Sequence, residues 1–253
     1  MSKQRQSVWF LISCALYCCF DSFADDYDPS RFEKEIIVPV CIDPVQCEIT
    51  ADGRVYFIER AGALKTVEPV SKKVTTLGTV PVEMTWEVGL LGLALDRDFA
   101  RSQYLFLFFS PKDQTNTMRL ARFGLKDGLL DLSSEKVLLE YTNDWTRTHQ
   151  GGGLFMAANG DLLLGTGDNM YPIPELPVDE RAGPGHMDSQ ATSANSMSLR
   201  GKILCIHPTV DEKYTIPEGN LFSDRKVGRP EIFAMGVRNG FRQYEDPKTG
   251  YMY

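Results

Sequence analysis

Histidine is scarce in this chain. There are three in 253 residues, His149, His186 and His207, far apart in sequence. Cysteine gives no stronger lead. Six are present, and Cys14, Cys18 and Cys19 fall in the first twenty-odd residues. The spacing of Cys41, Cys47 and Cys205 matches no zinc pattern, and no Cys-x-x-Cys-His haem attachment occurs. Cys41 and Cys47 are close enough in sequence to pair in an oxidising compartment. Positive charge is not in excess, the net being −7. That argues against nucleic acid or an anionic membrane surface as a partner. Long amphipathic helical patterns are nearly absent. The most apolar run, Val8–Phe20, is too short to span a bilayer comfortably.

That run has another reading. Lys3 and Arg5 precede it, and Ser22-Phe23-Ala24 follows with small residues where a signal peptidase reads them. Residues 1–24 are therefore expected to be a cleaved export signal, the chain's sole membrane association. The protein proper is expected to span 25–253 and to be periplasmic or secreted. Without Lys3, Arg5 and Asp21 its charge is near −8, a balance suited to neutral small molecules.

What is abundant is β pattern punctuated by turns. Asp25–Arg31 reads as a polar lead-in and Phe32–Val40 as a strand. Strands then flank Asp52-Gly53, and others cover Leu64–Val67, Val74–Val80 and Gly89–Asp96. Tyr104–Ser110 is apolar throughout, as in a strand buried on both faces. Further strands fit Met118–Leu125, Lys136–Tyr141, Leu199–Pro208, Glu231–Gly236 and Tyr251–Tyr253. The unit recurs at roughly the 40–60-residue period of propeller blades, each a four-stranded sheet. A β-sandwich is the other all-β layout. Met170–Leu199, rich in Pro, Gly and charge, interrupts the rhythm like a lid or binding loop. His186 lies within it and reads as a solvated loop residue.

The chemistry centres on Thr148-His149-Gln150-Gly151-Gly152-Gly153 and Gly165-Thr166-Gly167-Asp168-Asn169. Between them, Leu154–Ala158, Asn159-Gly160 and Leu162–Leu164 read as strand, tight turn, strand, both turn residues suiting positive φ. A hairpin would bring His149 and Asp168 to one sheet edge, where an imidazole–carboxylate pair makes an oriented general base. The flanking glycines would leave room for a flat ligand. They are not a phosphate cradle, because no Lys follows at P-loop spacing and a strand, not a helix, comes next. Taken alone, a His beside glycines is more often an exposed loop residue than a catalyst.

The series GLLGLALDRDFA, THQGGGL, NGDLLLGTGDN, LRGKILCIHP and PEIFAMGVRNGFR, in this order, resembles the soluble aldose sugar dehydrogenases, the glucose/sorbosone dehydrogenase family. The resemblance runs from about Ile36 to Tyr253. It implies a six-bladed β-propeller using pyrroloquinoline quinone (PQQ) and calcium. The activity implied is oxidation of an aldose at C1 to the lactone, with electrons passed to an external acceptor. His149 matches the base for the C1 hydroxyl and Asp168 its supporting carboxylate. Arg238 matches the arginine beside the quinone carbonyl, and Asn239 a neighbouring cofactor contact. Calcium ligands are not assigned to any residue. Gly240 stands where the family often has Pro, and Cys205 where it often has a basic residue. Because a propeller must close on itself, the resemblance also implies an incomplete ring ending at Tyr253. The alternative is a propeller of the same descent that binds a protein or glycan without catalysis.

Overall fold

The computed structural model describes residues 29–114, 116–143, 148–170, 189–222, 224, 226–246 and 248–253. The expected signal segment, His186 and most of the Met170–Leu199 insertion lie outside these residues. Two units are distinguished, Met1–Ile37 and Val38–Tyr253. In the first, Pro29–Arg31 forms a single 3-10 turn. The strand expected over Phe32–Val40 does not form. Phe32, Ile36 and Val40 are exposed, so alternation alone, without an adjoining ladder, does not produce a strand there.

The second unit consists of antiparallel meanders. The first sheet has the order β1 (Pro44–Ile49), β2 (Val55–Glu59), β3 (Ala63–Val67), β4 (Val74–Thr79). The second runs β5 (Leu90–Leu95), β6 (Tyr104–Phe109), β7 (Thr117–Lys126), β8 (Leu129–Thr142). In the third, β9 (Gly151–Met156) pairs with β10 (Leu162–Thr166), and β10 with β11 (Lys202–Pro208). The outer edge of β11 is shared by two short strands, β12 (Tyr214–Thr215) and β13 (Ile232–Met235). Each sheet thus follows chain order from a first strand outward, as a propeller blade does. The chain is all-β in class, and its sheets do not close into a ring among the described residues.

The expected strand over Tyr104–Ser110 is β6, and its burial on both faces has a clear cause. Leu105, Leu107 and Phe109 pack toward the first sheet with Ile58 and Leu64, whereas Phe106 and Phe108 pack toward the third with Leu154 and Leu164. In β5 the alternation slips. Leu90 and Leu93 join the first cluster while Leu91 and Ala94 join the second. A bulge between Leu90 and Gly92 supplies the extra residue that lets Leu90 and Leu93 face one neighbour and Leu91 and Ala94 the other. A Cβ on Gly92 would lie 2.7 Å from the carbonyl oxygen of Gly152, so glycine is what lets β5 approach β9.

The first strands are also stitched by one side chain. Gln46 on β1 donates from Nε2 to the Leu154 carbonyl of β9 at 2.7 Å, and its Oε1 accepts the Leu93 N–H of β5 at 3.3 Å. Two residues on, Glu48 borders a cavity of about 620 Å³ at the C-terminal ends of β1 and β5. None of the residues expected in the active site lines it. Burial pushes the Glu48 carboxyl up to about 7 from an ordinary 4.5. The folded form therefore holds a proton that the unfolded form releases between these values. Stability from this group is full below 4.5 and lost as pH rises through 7. Glu48→Gln should stabilise the protein by about 1–3 kcal/mol at pH 8.5 and leave it unchanged near pH 4.5. Urea midpoints at the two pH values check this, and equal gains at both would refute it.

Both hairpin turns read from sequence are present, and the one at Asn159-Gly160 differs in geometry from that expected. In the first, Gly53 N–H bonds to Thr50 O and Thr50 N–H to Arg54 O. In the second, Gly160 N–H bonds to Ala157 O and Ala157 N–H to Asp161 O. Gly53 and Gly160 have positive φ, but Asp52 and Asn159 do not. These are three-residue loops with a glycine bulge, not two-residue turns with both centres left-handed. The tight Asp-Gly turn instead joins β7 to β8, where Asp127 and Gly128 have φ of 52° and 76° and Lys126 faces Leu129.

The cysteines outside the expected signal do not pair. Cys41, Cys47 and Cys205 are free thiols. From Asp43 onward the chain runs extended beside Arg60 and Glu59. Four residues of strand cover roughly 13 Å, well beyond disulfide reach.

Candidate functional site

His149 immediately precedes β9 and Asp168 lies just past β10, so the hairpin delivers both to one end of the third sheet. His149 takes a left-handed backbone, φ 48°. Two contacts hold that conformation. Its N–H donates to Glu87 Oε2 at 2.5 Å, and its carbonyl lies against Gly167, where a Cβ would sit 1.5 Å from the oxygen. Only glycine fits at 167.

Asp168 is fully buried. Its N–H donates to the Arg238 carbonyl at 2.8 Å, and its own carbonyl accepts from Thr192 Oγ1 at 2.8 Å. Oδ1 accepts the Met170 N–H at 2.9 Å and lies 2.7 Å from His149 Nδ1. An ionised carboxylate only accepts, so Nδ1 carries the proton and Nε2 presents its lone pair. Asp168 Oδ2 is buried with no hydrogen-bond partner among the described residues. Another His–carboxylate pair, His207 Nδ1 to Asp161 Oδ1 at 2.8 Å, sits at the turn end of the same hairpin. It differs in burial: the His207 side chain is 45% exposed against 10% for His149. Exposure screens and loosens such a pair, so geometry and burial together single out His149.

Arg238 and Asn239 reach the same place through the backbone. Asn239 forms a β-bridge with Gly167, and its Oδ1 accepts the Gly151 N–H at 2.8 Å. Its Nδ2 makes no hydrogen bond among the described residues. The Arg238 guanidinium is on an exposed residue and has neither ion pair nor hydrogen bond among the described residues. The approach of the two to His149 is thus anchored by main-chain contacts: Arg238 to Asp168, and Asn239 to the residues flanking the His–Asp pair.

The glycines play a different part from the one expected. Several of their Cβ directions are taken by neighbouring chain, although Gly151 also borders a cleft beside Glu87 and Trp86. A Cβ on Gly151 would lie 2.3 Å from Gly165 O, one on Gly152 2.8 Å from Leu91 Cβ, and one on Gly165 2.3 Å from Gly240 O. Gly240 itself would place a Cβ 2.8 Å from Gly165 Cα, so the segment after β13 docks here backbone to backbone.

Two residues went unassigned in the sequence. Glu87 gives little signal there, being an ordinary carboxylate ahead of a glycine-rich strand. Lys202 gives a clearer one, since it opens an apolar strand. It is fully buried, and its Nζ donates to the carbonyls of Thr192 at 2.8 Å, Ser193 at 2.9 Å and Arg200 at 2.7 Å. Burial pushes its ammonium down to about 8. Because Thr192 holds the Asp168 carbonyl, Lys202 fixes the loop on which the carboxylate rests.

A cleft of about 490 Å³ adjoins this end of the sheet, lined among others by Trp86, Glu87, Gln150, Gly151, Asn239 and Phe241. His149, Asp168 and Arg238 do not line it. It reaches them through Glu87, which holds the His149 N–H, and through Gln150 and Gly151. Among the described residues, no cluster of three or more His, Cys, Asp or Glu could hold a metal ion. No helix among them is long and apolar enough to cross a membrane.

Successive antiparallel sheets of four or five strands, with a His–carboxylate pair at one strand end, define a protein built of propeller-type blades. The chain belongs to the glucose/sorbosone dehydrogenase family, whose model matches residues 42–253. Its fold is similar to that of a proposed glucose dehydrogenase from Thermus thermophilus, at 25% identity and a TM-score of 0.68 over 86% of this chain and 59% of that one. It is also similar to the PQQ-bound aldose sugar dehydrogenase of Streptomyces coelicolor, at 21% identity and a TM-score of 0.65 over 86% of this chain and 57% of that one. The HIPL2 protein of Arabidopsis thaliana is 33% identical over 104 residues, 36% of this chain and 13% of that protein. The chain therefore spans less than two thirds of the length of each.

Proposed function

We propose that this chain carries the base-bearing part of an exported, six-bladed propeller quinoprotein that oxidises an aldose at C1 to the lactone. The observation carrying this reading is the buried Asp168–His149 pair, with Nδ1 2.7 Å from Oδ1. His149 Nε2 takes the proton of the C1 hydroxyl. Asp168 keeps the proton on Nδ1 and stabilises the imidazolium as it forms. PQQ, when bound, supplies the acceptor for the C1 hydride, and an external acceptor then removes the electrons.

The residues present fit one edge of such a group. PQQ is flat and multiply anionic, which favours a guanidinium as partner. Arg238 offers one without a competing carboxylate among the described residues, and Asn239 Nδ2 offers an uncommitted donor beside it. Arg238 opposes negative charge gained at the quinone oxygen. Calcium belongs to the family pattern, and no ligand for it is assigned to this chain. Export to the periplasm or beyond rests on residues 1–24 of the sequence.

The test is direct. The complete propeller that contains this chain is purified and titrated with PQQ in the presence of calcium, following visible absorbance, and dye reduction is then measured over a panel of aldoses. Saturable PQQ binding with dye reduction by at least one aldose is expected. Neither binding nor reduction with any sugar would defeat the reading.

A further inference from the structure

The cleft beside the His149 peptide contains a feature that the base and cofactor roles do not use. Trp86 is 66% exposed, and its backbone adopts φ 55°. Positive φ in a bulky residue is an outlier that persists only where its surroundings enforce it. Here they do. Arg60 Nη1 donates to the Trp86 carbonyl at 2.9 Å and to the Val88 carbonyl at 3.2 Å, while Arg60 Nε pairs with Asp43 Oδ2 at 2.6 Å. Val88 N–H closes the turn onto Thr85 O, and a Cβ on Gly89 would lie 2.5 Å from Arg60 O. Trp86, which lines the cleft, is thus held there by a turn clamped at both ends. Phe241, 51% exposed, borders the same cleft.

The polar groups around these rings narrow the occupant. Asp43 is neutralised by Arg60, which leaves the Glu87 carboxylate as the uncompensated charge of the cleft among the described residues. An anionic planar group is disfavoured beside that carboxylate. A neutral polyhydroxylated ring suits the set: its C–H face lies on an aromatic surface and a hydroxyl donates to the Glu87 carboxylate. Resting on the sugar-oxidation reading above, we infer that Trp86 is a specificity-determining residue, the platform on which the pyranose ring of the substrate stacks. Glu87, holding the His149 N–H with one oxygen and bordering the cleft, ties that platform to the base.

The test separates this role from the chemistry. Methyl pyranosides lack a free C1 hydroxyl and bind without turnover, so their affinity is measured by calorimetry on wild type, Trp86→Ala and Trp86→Phe. Aldose KM and kcat and PQQ affinity are measured on the same three proteins. Trp86→Ala should weaken pyranoside binding and raise KM by about tenfold or more, the loss expected when an aromatic face no longer removes apolar area from water. Trp86→Phe should recover most of it, and PQQ affinity should be the same in all three. Unchanged KM and pyranoside affinity in Trp86→Ala, with wild type oxidising aldoses, overturns the platform and leaves the proposed function standing. An equal loss of PQQ affinity also overturns it, since the ring would then serve the cofactor. If wild type neither binds pyranosides nor oxidises any aldose, both fall together.

Discussion

His149→Gln is expected to lower kcat for aldose oxidation by about 10²–10⁴-fold, the usual contribution of a positioned general base. PQQ affinity should stay within about twofold, because the imidazole acts on the substrate proton and not on cofactor charge. Asp168→Asn should cost nearly as much. An amide oxygen can keep the contacts to Met170 N–H and Nδ1, but it carries no charge to stabilise the imidazolium as it forms, and its NH2 is buried where Oδ2 had no partner. The two residues act as a unit, and the double variant should therefore be little worse than His149→Gln alone. Steady-state kinetics on the four proteins decides this. Additive losses would show that Asp168 works through something other than His149, and full activity in His149→Gln would remove the base from the mechanism.

Lys202→Met should be strongly destabilising at this end of the molecule, costing about 1–3 kcal/mol. The thioether is apolar and of similar length, so packing volume is nearly kept. What is lost is one charged donor shared by three carbonyls, at Thr192, Ser193 and Arg200; Thr192 O keeps the Asn195 N–H and Ser193 O the Gly236 N–H, but the ammonium that ties the three together is gone. For a protein of this size the melting temperature should fall by roughly 2–4 °C per kcal/mol. A fall in kcat should accompany it below the transition, since Thr192 supports the Asp168 carbonyl. Urea unfolding followed by circular dichroism reads the first effect and initial rates read the second. An unchanged midpoint would mean that water or relaxation satisfies those carbonyls, and the loop would not depend on the ammonium.

Much of the blade pattern was legible because it is local. Strand runs and the glycine turns at Gly53 and Gly160 appear where alternation and positive φ require them. Turn type was less legible. Asn159-Gly160 reads as a two-residue turn, but the bonds from Ala157 to Gly160 and Asp161 depend on how far the ladder extends, which the dipeptide does not encode. Phe32–Val40 failed for the complementary reason: it has the alternation and no adjoining strand. The roles of the triple glycine were also misjudged. A Cβ-free surface is open to ligand or to backbone alike, and only the approach of Gly240 and Leu91 shows that backbone took the space.

By itself the sequence determined the all-β class, the succession of blades and the pairing of His149 with Asp168, because each follows from periodicity or from a single hairpin. The tertiary structure alone decided that Glu87 grips the His149 peptide from 62 positions away and that Gln46 joins three first strands, one contact spanning 108 positions. It also decided that Lys202 lies buried under the Asp168 loop, and that Trp86 stands clamped at the rim of the cleft. Such contacts leave no periodic trace, since a side chain's partner across the fold is chosen by how the sheets stack, which no short window of residues records.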